Sequence, residues 1–353
     1  MASFSPKDYP TIALDEKAGE LVLVDQTLLP GEVKLLRLSG LEDIWEAIKA
    51  LRVRGAPAIG VAAGFAAYVS ALSIETDDPR EFNERFIEKA DYLATSRPTA
   101  VNLFWALDRM RGVVSDLLEK ASVRQIKEAL LKESLAIRDE DIAICKAIGE
   151  HALGLLKPGM GLLTHCNAGR LATVEYGTAT SVMYLGHEKG YDFNIYCDET
   201  RPLLQGARLT AFELAAAGMK PTVICDNMAS SLMKAGKIDA VFTGCDRVAA
   251  NGDTANKIGT SGLAIICRHY GVPFYICGPS STLDMATPTG AGIEIEQRPP
   301  EEVTEMWYTH RMAPEAAGVY NPAFDVTDAS LITAIITEDG VLAPDRLKTI
   351  YQT

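Results

Sequence analysis

Two segments of the sequence place an arginine at the start of a predicted helix, an arrangement that binds phosphate. Residues 54–57 read RGAP and precede a long apolar stretch, while Arg97 is followed by Pro98 ahead of a second apolar stretch. Proline favours the first turn of a helix, where free backbone N–H groups attract anions, and arginine pairs well with phosphate oxygens. We expect both segments to bind phosphate; ordinary helix caps with solvated arginines are the alternative.

Two reactive side chains follow predicted strands further along the chain. Cys166 comes directly after the run LLTH and before NAG, a segment that predicts a helix start, which would favour the thiolate. Asp246 follows the run AVFT and the pair Gly244–Cys245. A partly desolvated carboxylate there would have a raised pKa and could act as a general acid near neutral pH. The alternatives are an inert, packed thiol and an aspartate that caps a helix or pairs with Arg247.

The elements that position these residues are predicted from five short apolar runs separated by helical segments. This alternation predicts a Rossmann-like parallel sheet with crossover helices in an α/β fold. Ligands of such sheets bind beyond the carboxyl ends of the strands, where Cys166 and Asp246 would both lie. The five apolar runs cover residues 162–165, 194–196, 222–224, 240–243 and 273–276.

The pair Arg201–Pro202 predicts a further helix start ahead of Gln205.

The region before this sheet predicts a smaller, mostly helical domain. Residues 11–38 alternate between apolar and polar around turn signals, which indicates short antiparallel strands. Residues 55–74 carry no charge, but alanine, glycine and serine dominate them, so we predict a buried helix rather than a membrane span. We place the two domains at residues 1–128 and 129–353, with the boundary in a long, charged helical segment.

Composition, short motifs and cysteine spacing argue against several classes of protein and of cofactor. The 353 residues include 47 acidic and 34 basic side chains, a net charge of −13, which argues against nucleic-acid binding. No G-x-G-x-x-G follows a strand and no P-loop is present, so we expect no dinucleotide cofactor. The seven cysteines have no metal-ligand spacing, so we expect no metal, no disulfide framework and a reducing cytoplasm. The segment MASFSPKDYP predicts no signal peptide.

Six blocks of the sequence occur in the order found in a known family. With them the chain resembles the methylthioribose-1-phosphate isomerase family of methionine salvage, which includes regulatory subunits of translation initiation factor 2B and archaeal ribose-1,5-bisphosphate isomerases. The resemblance implies a sugar-phosphate aldose–ketose isomerase that needs no cofactor, acts in the cytoplasm and forms a homodimer. The blocks are VRGAPAIG (53–60), SRPTAVNL (96–103), CNAG (166–169), ETRPLLQGARLTAFEL (199–214), DRVAANGDTANKIGT (246–260) and NPAFDVT (321–327).

The resemblance also implies roles for individual residues. Cys166 matches the family's catalytic cysteine, and Asp246 matches its proton donor. The family's substrate-binding residues match Arg54, Gly55, Ala56, Arg97, Gln205, Asn256 and Lys257. The sequence departs from the family pattern at Cys245, where alanine is expected, and at Arg170, where a small residue is expected.

The implied chemistry fits these residue types. A phosphate on the anomeric carbon blocks the free-aldehyde route, so an acid must protonate the ring oxygen, which suits Asp246. Cys166 would assist the transfer of hydrogen from C2 to C1, as a proton or as a hydride. Ribose 1,5-bisphosphate and 5-deoxyribose 1-phosphate are alternative substrates for the same site, and a non-catalytic regulatory subunit is an alternative function.

Overall fold

The computed structural model describes residues 9–98 and 100–351, which pack as two compact units. The first unit extends to Ala143 and also includes Arg170–Gly177. The second unit comprises Ile144–Gly169 and the chain from Thr178 onward. The crossing point lies within a single helix of 31 residues, Val123–Leu153. The boundary that we predicted at residue 128 falls in this same helix.

Short strands followed by helices make up the first unit. Its elements are β1 (Ile12–Asp15), β2 (Glu20–Val24), β3 (Leu35–Leu38), α1 (Leu41–Lys49), α2 (Ala56–Leu72), α3 (Pro79–Ala94), α4 (Val101–Leu117) and α5 (Val123–Leu153). Strand β2 pairs antiparallel with β1 on one side and β3 on the other. This arrangement confirms the predicted antiparallel strands ahead of a mostly helical region.

Helix α2 forms the core of the first unit. All its residues from 58 to 71 are buried, as expected for a helix that is apolar on every side. A Cβ on Gly60 would lie 3.3 Å from the carbonyl oxygen of Asn102, so α2 at Gly60 packs closely against the start of α4. Within residues 9–98 and 100–351, no helix has the length and hydropathy that crossing a membrane requires.

The segment Arg170–Gly177 is held in the first unit by side chains that are distant in sequence. Its carbonyl oxygens at positions 170 and 171 accept hydrogen bonds from Thr11 Oγ1 (3.0 Å) and Gln26 Nε2 (2.7 Å). The N–H of Val174 donates to a carboxylate oxygen of Asp141 at 2.8 Å. Three separate parts of the unit therefore fix one short segment.

The second unit alternates strands and helices. Its strands are β4 (Gly161–His165), β5 (Asn194–Asp198), β6 (Thr222–Ile224), β7 (Ala240–Thr243), β8 (Arg247–Ala249), β9 (Thr254–Lys257), β10 (Phe274–Cys277), β11 (Leu283–Asp284), β12 (Phe324–Thr327), β13 (Ala334–Thr337) and β14 (Gly340–Leu342). Its further helices are α6 (Ser181–Glu188), α7 (Ala211–Ala216), α8 (Ala229–Lys234), α9 (Thr260–Tyr270), α10 (Glu301–Thr304) and α11 (Leu347–Tyr351).

The larger sheet of this unit has the strand order β14–β13–β10–β7–β4–β5–β6. Neighbouring strands run parallel, apart from β14, which pairs antiparallel with β13. Strand β4 is central: Leu163 lies opposite Val241 of β7 on one side and Tyr196 of β5 on the other. The residues that follow β4, β5 and β7 therefore leave the sheet at one edge, which confirms the predicted Rossmann-like architecture.

Two predicted helix starts in this unit are wrong. The residues directly after Cys166 form a loop, and the next α-helix, α6, begins only at Ser181. Residues 201–204 form turns because Thr200 and Leu204 have φ values of 64° and 56°, which no right-handed helix allows. A π-helical turn, Gly206–Thr210, leads instead into α7.

Candidate active site

Cys166 lies at the carboxyl end of β4 in a tightly held turn. Its φ of 63° is unusual for a residue with a side chain. The backbone N–H of Cys166 donates to Thr200 Oγ1 at 2.8 Å, and Thr210 Oγ1 donates to the carbonyl oxygen of Cys166 at 2.6 Å. Two buried hydroxyl groups therefore stabilise a backbone conformation that otherwise costs about 1–3 kcal/mol.

The residue before Cys166 forms a buried ion pair with the neighbouring strand. His165 ends β4, and its Nδ1 lies 2.9 Å from a carboxylate oxygen of Asp198, which ends β5. Its Nε2 lies 2.9 Å from the carbonyl oxygen of Ile258. Burial alone would lower the pKa of His165, but the hydrogen bond and the charge of Asp198 outweigh it and raise the pKa to about 9.

This pair extends to a third acidic residue, Asp226. Possible ligand atoms of His165, Asp198 and Asp226 lie within 4.8 Å of one another, close enough for a metal ion. The two carboxylate oxygens of Asp226, however, accept the backbone N–H groups of residues 200 and 201 at 2.7 and 2.8 Å. Because both nitrogens of His165 also face oxygen acceptors, we interpret the group as a hydrogen-bond network that holds the sheet edge.

The pair Asn256–Lys257 lies at the end of β9, in a connection that leads into α9. Asn256 Nδ2 donates to Thr260 Oγ1 at 3.0 Å, and Thr260 Oγ1 donates to the carbonyl oxygen of Lys257 at 2.6 Å. Lys257 Nζ lies 4.5 Å from the centroid of the Phe324 ring. These contacts fix the backbone of both candidate substrate contacts and direct the lysine along β12.

Asp325 holds the start of α9 next to this connection. One of its carboxylate oxygens accepts the N–H of Gly259 at 2.8 Å, and the other accepts the N–H of Ser261 at 3.0 Å. Burial raises the pKa of Asp325, while these backbone hydrogen bonds oppose the change. An acidic residue at a helix N-terminus is a favourable arrangement.

Asp246 lies between the two sheets of the second unit. Its backbone N–H donates to the carbonyl oxygen of Ala255 at 2.9 Å, and the next element is strand β8, so it caps no helix. Its neighbour Arg247 forms an ion pair with Asp284 at 3.3 Å. Burial raises the pKa of the Cys245 thiol to about 12, although its hydrogen bond with Thr282 opposes the change.

Gln205 is placed at the start of the π-helical turn, with its side chain buried. Within the part of the chain that the structure describes, its side-chain oxygen has no hydrogen-bond partner. A buried acceptor without a partner costs about 1–3 kcal/mol, and a hydroxyl group of a ligand would remove that cost. This atom is therefore a candidate ligand contact.

The four remaining predicted site residues lie in the first unit. Gly55 has a φ of 93°, and a Cβ there would lie 2.6 Å from Ala172, so only glycine fits. Gly55 directly precedes α2, whose first turn contains Ala56 and Pro57. Arg54 lies directly before Gly55 in the chain. Residue 97 begins the turn ahead of α4. Gly55 and residue 97, at the two predicted phosphate-binding helix starts, each lie five residues before the contact between Gly60 and Asn102; Thr99 lies outside the described residues.

Arg170, the other departure from the family pattern, also lies in the first unit. Its guanidinium group lies 5.8 Å from the centroid of the Tyr9 ring, a cation–π distance. It therefore packs against protein rather than pointing only to solvent.

Sequence reasoning missed the residues that hold the site. The ion pair of His165 with Asp198 and the hydroxyl groups of Thr200 and Thr210 carry no motif of their own. One signal was present: a histidine ends an otherwise apolar run of residues that lies in a central, buried strand. The segments that follow β4, β5 and β7, together with the end of β9, thus carry a thiol, a carboxyl group, a lysine and amide groups, which are types of side chain that can transfer protons and bind polar ligands.

Several known proteins are similar to this chain. The chain is 60% identical to a methylthioribose-1-phosphate isomerase from Symbiobacterium thermophilum, over 98% of this chain and 97% of the relative. It is also 60% identical to a 5-deoxyribose 1-phosphate isomerase from Petrotoga mobilis, over 97% of this chain and 99% of that relative. A crystal structure of 5-methylthioribose 1-phosphate isomerase from Pyrococcus horikoshii OT3 superposes with a TM-score of 0.92 at 41% identity, covering 100% of this chain and 99% of that one. Residues 52–344 match the sequence model of the initiation factor 2 subunit family. The chain belongs to the initiation factor 2 subunit family.

Proposed function

We propose that this protein is an aldose–ketose isomerase that converts 5-methylthioribose 1-phosphate to 5-methylthioribulose 1-phosphate in methionine salvage. One observation carries the proposal beyond family membership. Cys166 and Asp246 follow β4 and β7, which are hydrogen-bonded neighbours in one parallel sheet. A reactive thiol and a carboxylic acid thus leave the same edge, where ligands of open parallel sheets bind.

In the proposed reaction, Asp246 gives a proton to the ring oxygen while the bond from C1 to that oxygen breaks. The phosphate stays on C1 and becomes the phosphate of the product. Cys166 assists the movement of hydrogen from C2 to C1, and the C2 hydroxyl loses its proton as C2 becomes a ketone. The reaction is a rearrangement with no net change of oxidation state, so it requires no external oxidant or reductant.

The remaining site residues are proposed to bind the substrate. Arg54, Arg97 and the N–H groups at Gly55 and Ala56 have the chemistry of a phosphate site, since arginine and a helix start both favour anions. The sugar hydroxyl groups would be bound by Gln205, Asn256 and Lys257. The buried oxygen of Gln205 supports this assignment, because a hydroxyl group would give it a donor.

A second candidate substrate is 5-deoxyribose 1-phosphate. The relative from Petrotoga mobilis carries that name at 60% identity, the same identity as the relative named for the methylthio compound. The two sugars differ only in the substituent at C5, away from the bonds that change. Comparing kcat/KM for the two substrates decides which one the enzyme prefers.

The proposed function is tested by proton NMR of each substrate with the purified protein in D₂O. We expect the corresponding ketose to appear, and deuterium at C1 would identify proton transfer through an exchangeable group. Ketose without deuterium would instead indicate a hydride shift or a shielded proton. No turnover of either substrate by folded protein would contradict the proposal and favour ribose 1,5-bisphosphate or a regulatory role.

The catalytic assignment makes its own prediction. Cys166→Ser and Asp246→Asn should each lower kcat roughly 10²- to 10⁴-fold, the range for losing one acid–base group. Circular dichroism and the unfolding midpoint should remain close to those of the native protein. Cys245→Ala, which restores the family's alanine, serves as the matched control and should retain activity; a variant at Cys166 with full activity would remove that residue from the mechanism.

We further propose that the enzyme works in the cytoplasm as a homodimer, as the family resemblance implies. Within residues 9–98 and 100–351, none of the seven cysteines forms a disulfide bond, which suits a reducing compartment. Sedimentation equilibrium should give twice the chain mass of 38.1 kDa. A single species of the chain mass would contradict the dimer.

A further inference from the structure

The ring of His165 is enclosed by two oxygen acceptors and one glycine. Nδ1 faces a carboxylate oxygen of Asp198, and Nε2 faces the carbonyl oxygen of Ile258, both at 2.9 Å. The edge of the ring packs against Gly259, where a Cβ would lie 2.9 Å from Cε1. The side chain is only 2% exposed, so it has one orientation and no access to bulk water.

This geometry requires one hydrogen on the ring and, with Asp198 ionised, a second. Burial raises the pKa of Asp198, while the hydrogen bond and charge of His165 oppose that change. A carbonyl oxygen has no proton to give, so Nε2 must carry a hydrogen, and an ionised carboxylate requires a hydrogen on Nδ1 as well. A ring with both hydrogens is an imidazolium. The second oxygen of Asp198 is buried and has no hydrogen-bond partner among the described residues. The carboxylate therefore depends on His165 for its stabilisation.

Four ionisable groups face this ring from the elements around it. Asp198 lies on β5, Cys166 follows β4, Asp226 follows β6, and Asp325 lies on β12. Three of the four are carboxylic acids, so the surroundings favour a positive ring, and the pKa of His165 is raised to about 9 although burial alone would lower it. These surroundings therefore favour the charged form of the ring.

We propose that His165 is a positioning residue which remains an imidazolium during the reaction and keeps a fixed positive charge beside Cys166. The charge would stabilise negative charge that develops on the reacting sulfur or on the substrate there. The same ring joins the end of β4 to Ile258, directly after the candidate substrate contacts at residues 256 and 257. This inference rests on the proposed function in its assignment of Cys166 to the reaction.

The charge itself is tested by nitrogen NMR of protein labelled with ¹⁵N-histidine. We expect the His165 signals, assigned by their loss in His165→Gln, to be those of an imidazolium at pH 7. Asp198→Asn removes the counter-ion but keeps the shape, so the ring should become neutral. Asp239→Asn is the matched control, because Asp239 accepts the N–H of Gly161 at the opposite end of β4. A neutral His165 at pH 7 in the native protein would overturn the proposal.

The effect on Cys166 is tested by its alkylation rate, followed by mass spectrometry of the peptide that contains it. Alkylation at pH 7 should slow about tenfold in both His165→Gln and Asp198→Asn, the lower end of the effect of an adjacent charge. The rate should be unchanged in Asp239→Asn. Equal rates in the native protein and in whichever charge-removing variant folds would overturn the proposal. Neither readout needs a sugar phosphate, so failure here is distinguishable from failure of the proposed function.

Discussion

The turn at Cys166 shows how much a single reactive residue depends on its neighbours. Its left-handed backbone is held by the hydroxyl groups of Thr200 and Thr210, which lie 34 and 44 residues further along the chain. Thr210 also accepts a hydrogen bond from the side chain of Asn167 at 3.1 Å. The thiol is therefore directed by contacts that form only when β5 and the π-helical turn are in place.

Thr210→Val should separate the role of this hydroxyl group from that of side-chain shape. We expect a loss of about 1–3 kcal/mol in the free energy of unfolding, because the carbonyl of Cys166 and the amide of Asn167 lose a buried partner. Turnover should also fall, since the thiol is no longer held in place. Urea unfolding and steady-state kinetics measure the two effects.

The control for this variant is Thr243→Val. Thr243 is fully buried, and within the described residues its hydroxyl oxygen has no hydrogen-bond partner. Replacing this hydroxyl group with a methyl group should leave stability unchanged or raise it. Equal destabilisation by both substitutions would contradict the assigned role of Thr210.

The π-helical turn Gly206–Thr210 is the element that connects the candidate substrate contact Gln205 to α7. Such turns are rare and occur frequently at functional sites. Gly206 makes it possible: a Cβ there would lie 1.7 Å from the carbonyl oxygen of Asp198. The turn can therefore approach the end of β5 only because residue 206 has no side chain.

Gly206→Ala should destabilise the protein by about 1–3 kcal/mol or more, since the clash is with a backbone atom that cannot rotate away. Substrate affinity should fall with it, because Gln205 moves. Gly262→Ala in α9 is the matched control: a Cβ there meets nothing within 4 Å, and alanine should stabilise the helix by up to about 1 kcal/mol. Thermal unfolding of both variants measures the difference.

The elements differ in how well the sequence predicts them. Apolar runs predicted the parallel sheet and the buried helix α2, because burial on all sides leaves a continuous apolar pattern. The small sheet of β8, β9, β11 and β12 was not predicted, since residues 249–253 indicate only a turn and its partner strands are distant in sequence. The helix start at Pro202 was wrong because Thr200 and Leu204 adopt positive φ values, in a turn where the N–H groups of residues 200 and 201 bind Asp226.

The residues of the candidate site also differ in how far the sequence predicts them. Residue type and position near the end of a strand made Cys166 and Asp246 candidates, but four other cysteines share that position, and the catalytic roles came from the family resemblance. The ion pair of His165 with Asp198 could not be predicted, because pairing across β4 and β5 depends on register, which the sequence alone does not determine.

At the scale of the whole molecule, Asp141 links stability to pH. Burial raises its pKa to about 7 from 3.8, against the lowering effect of its hydrogen bond from Val174. The folded state therefore holds a proton that the unfolded state has released between these two values, so stability falls as pH rises through this window. The full shift corresponds to about 4 kcal/mol, and we expect on the order of 2 because the residue retains some exposure.

Asp141→Asn should remove this dependence while keeping an acceptor for Val174. We expect the variant to gain on the order of 1 kcal/mol relative to the native protein when the pH is raised from 5 to 8, because that range covers about two thirds of the window. Urea unfolding at the two pH values measures the gain. A constant difference between the two proteins would show that Asp141 ionises as it does in the unfolded chain.

The return of the chain to the first unit at Arg170–Gly177 has a consequence for biosynthesis. Residues up to 143 leave the ribosome first, but the segment that Thr11, Gln26 and Asp141 bind follows roughly 2–7 s later at ordinary rates of translation. By then β4, the central strand of the second unit, has already been made and has neither of its neighbours. During this interval the nascent first unit lacks the segment to which Thr11, Gln26 and Asp141 bind, and an apolar strand has already emerged. A chaperone that shields such strands would therefore increase the yield of folded protein.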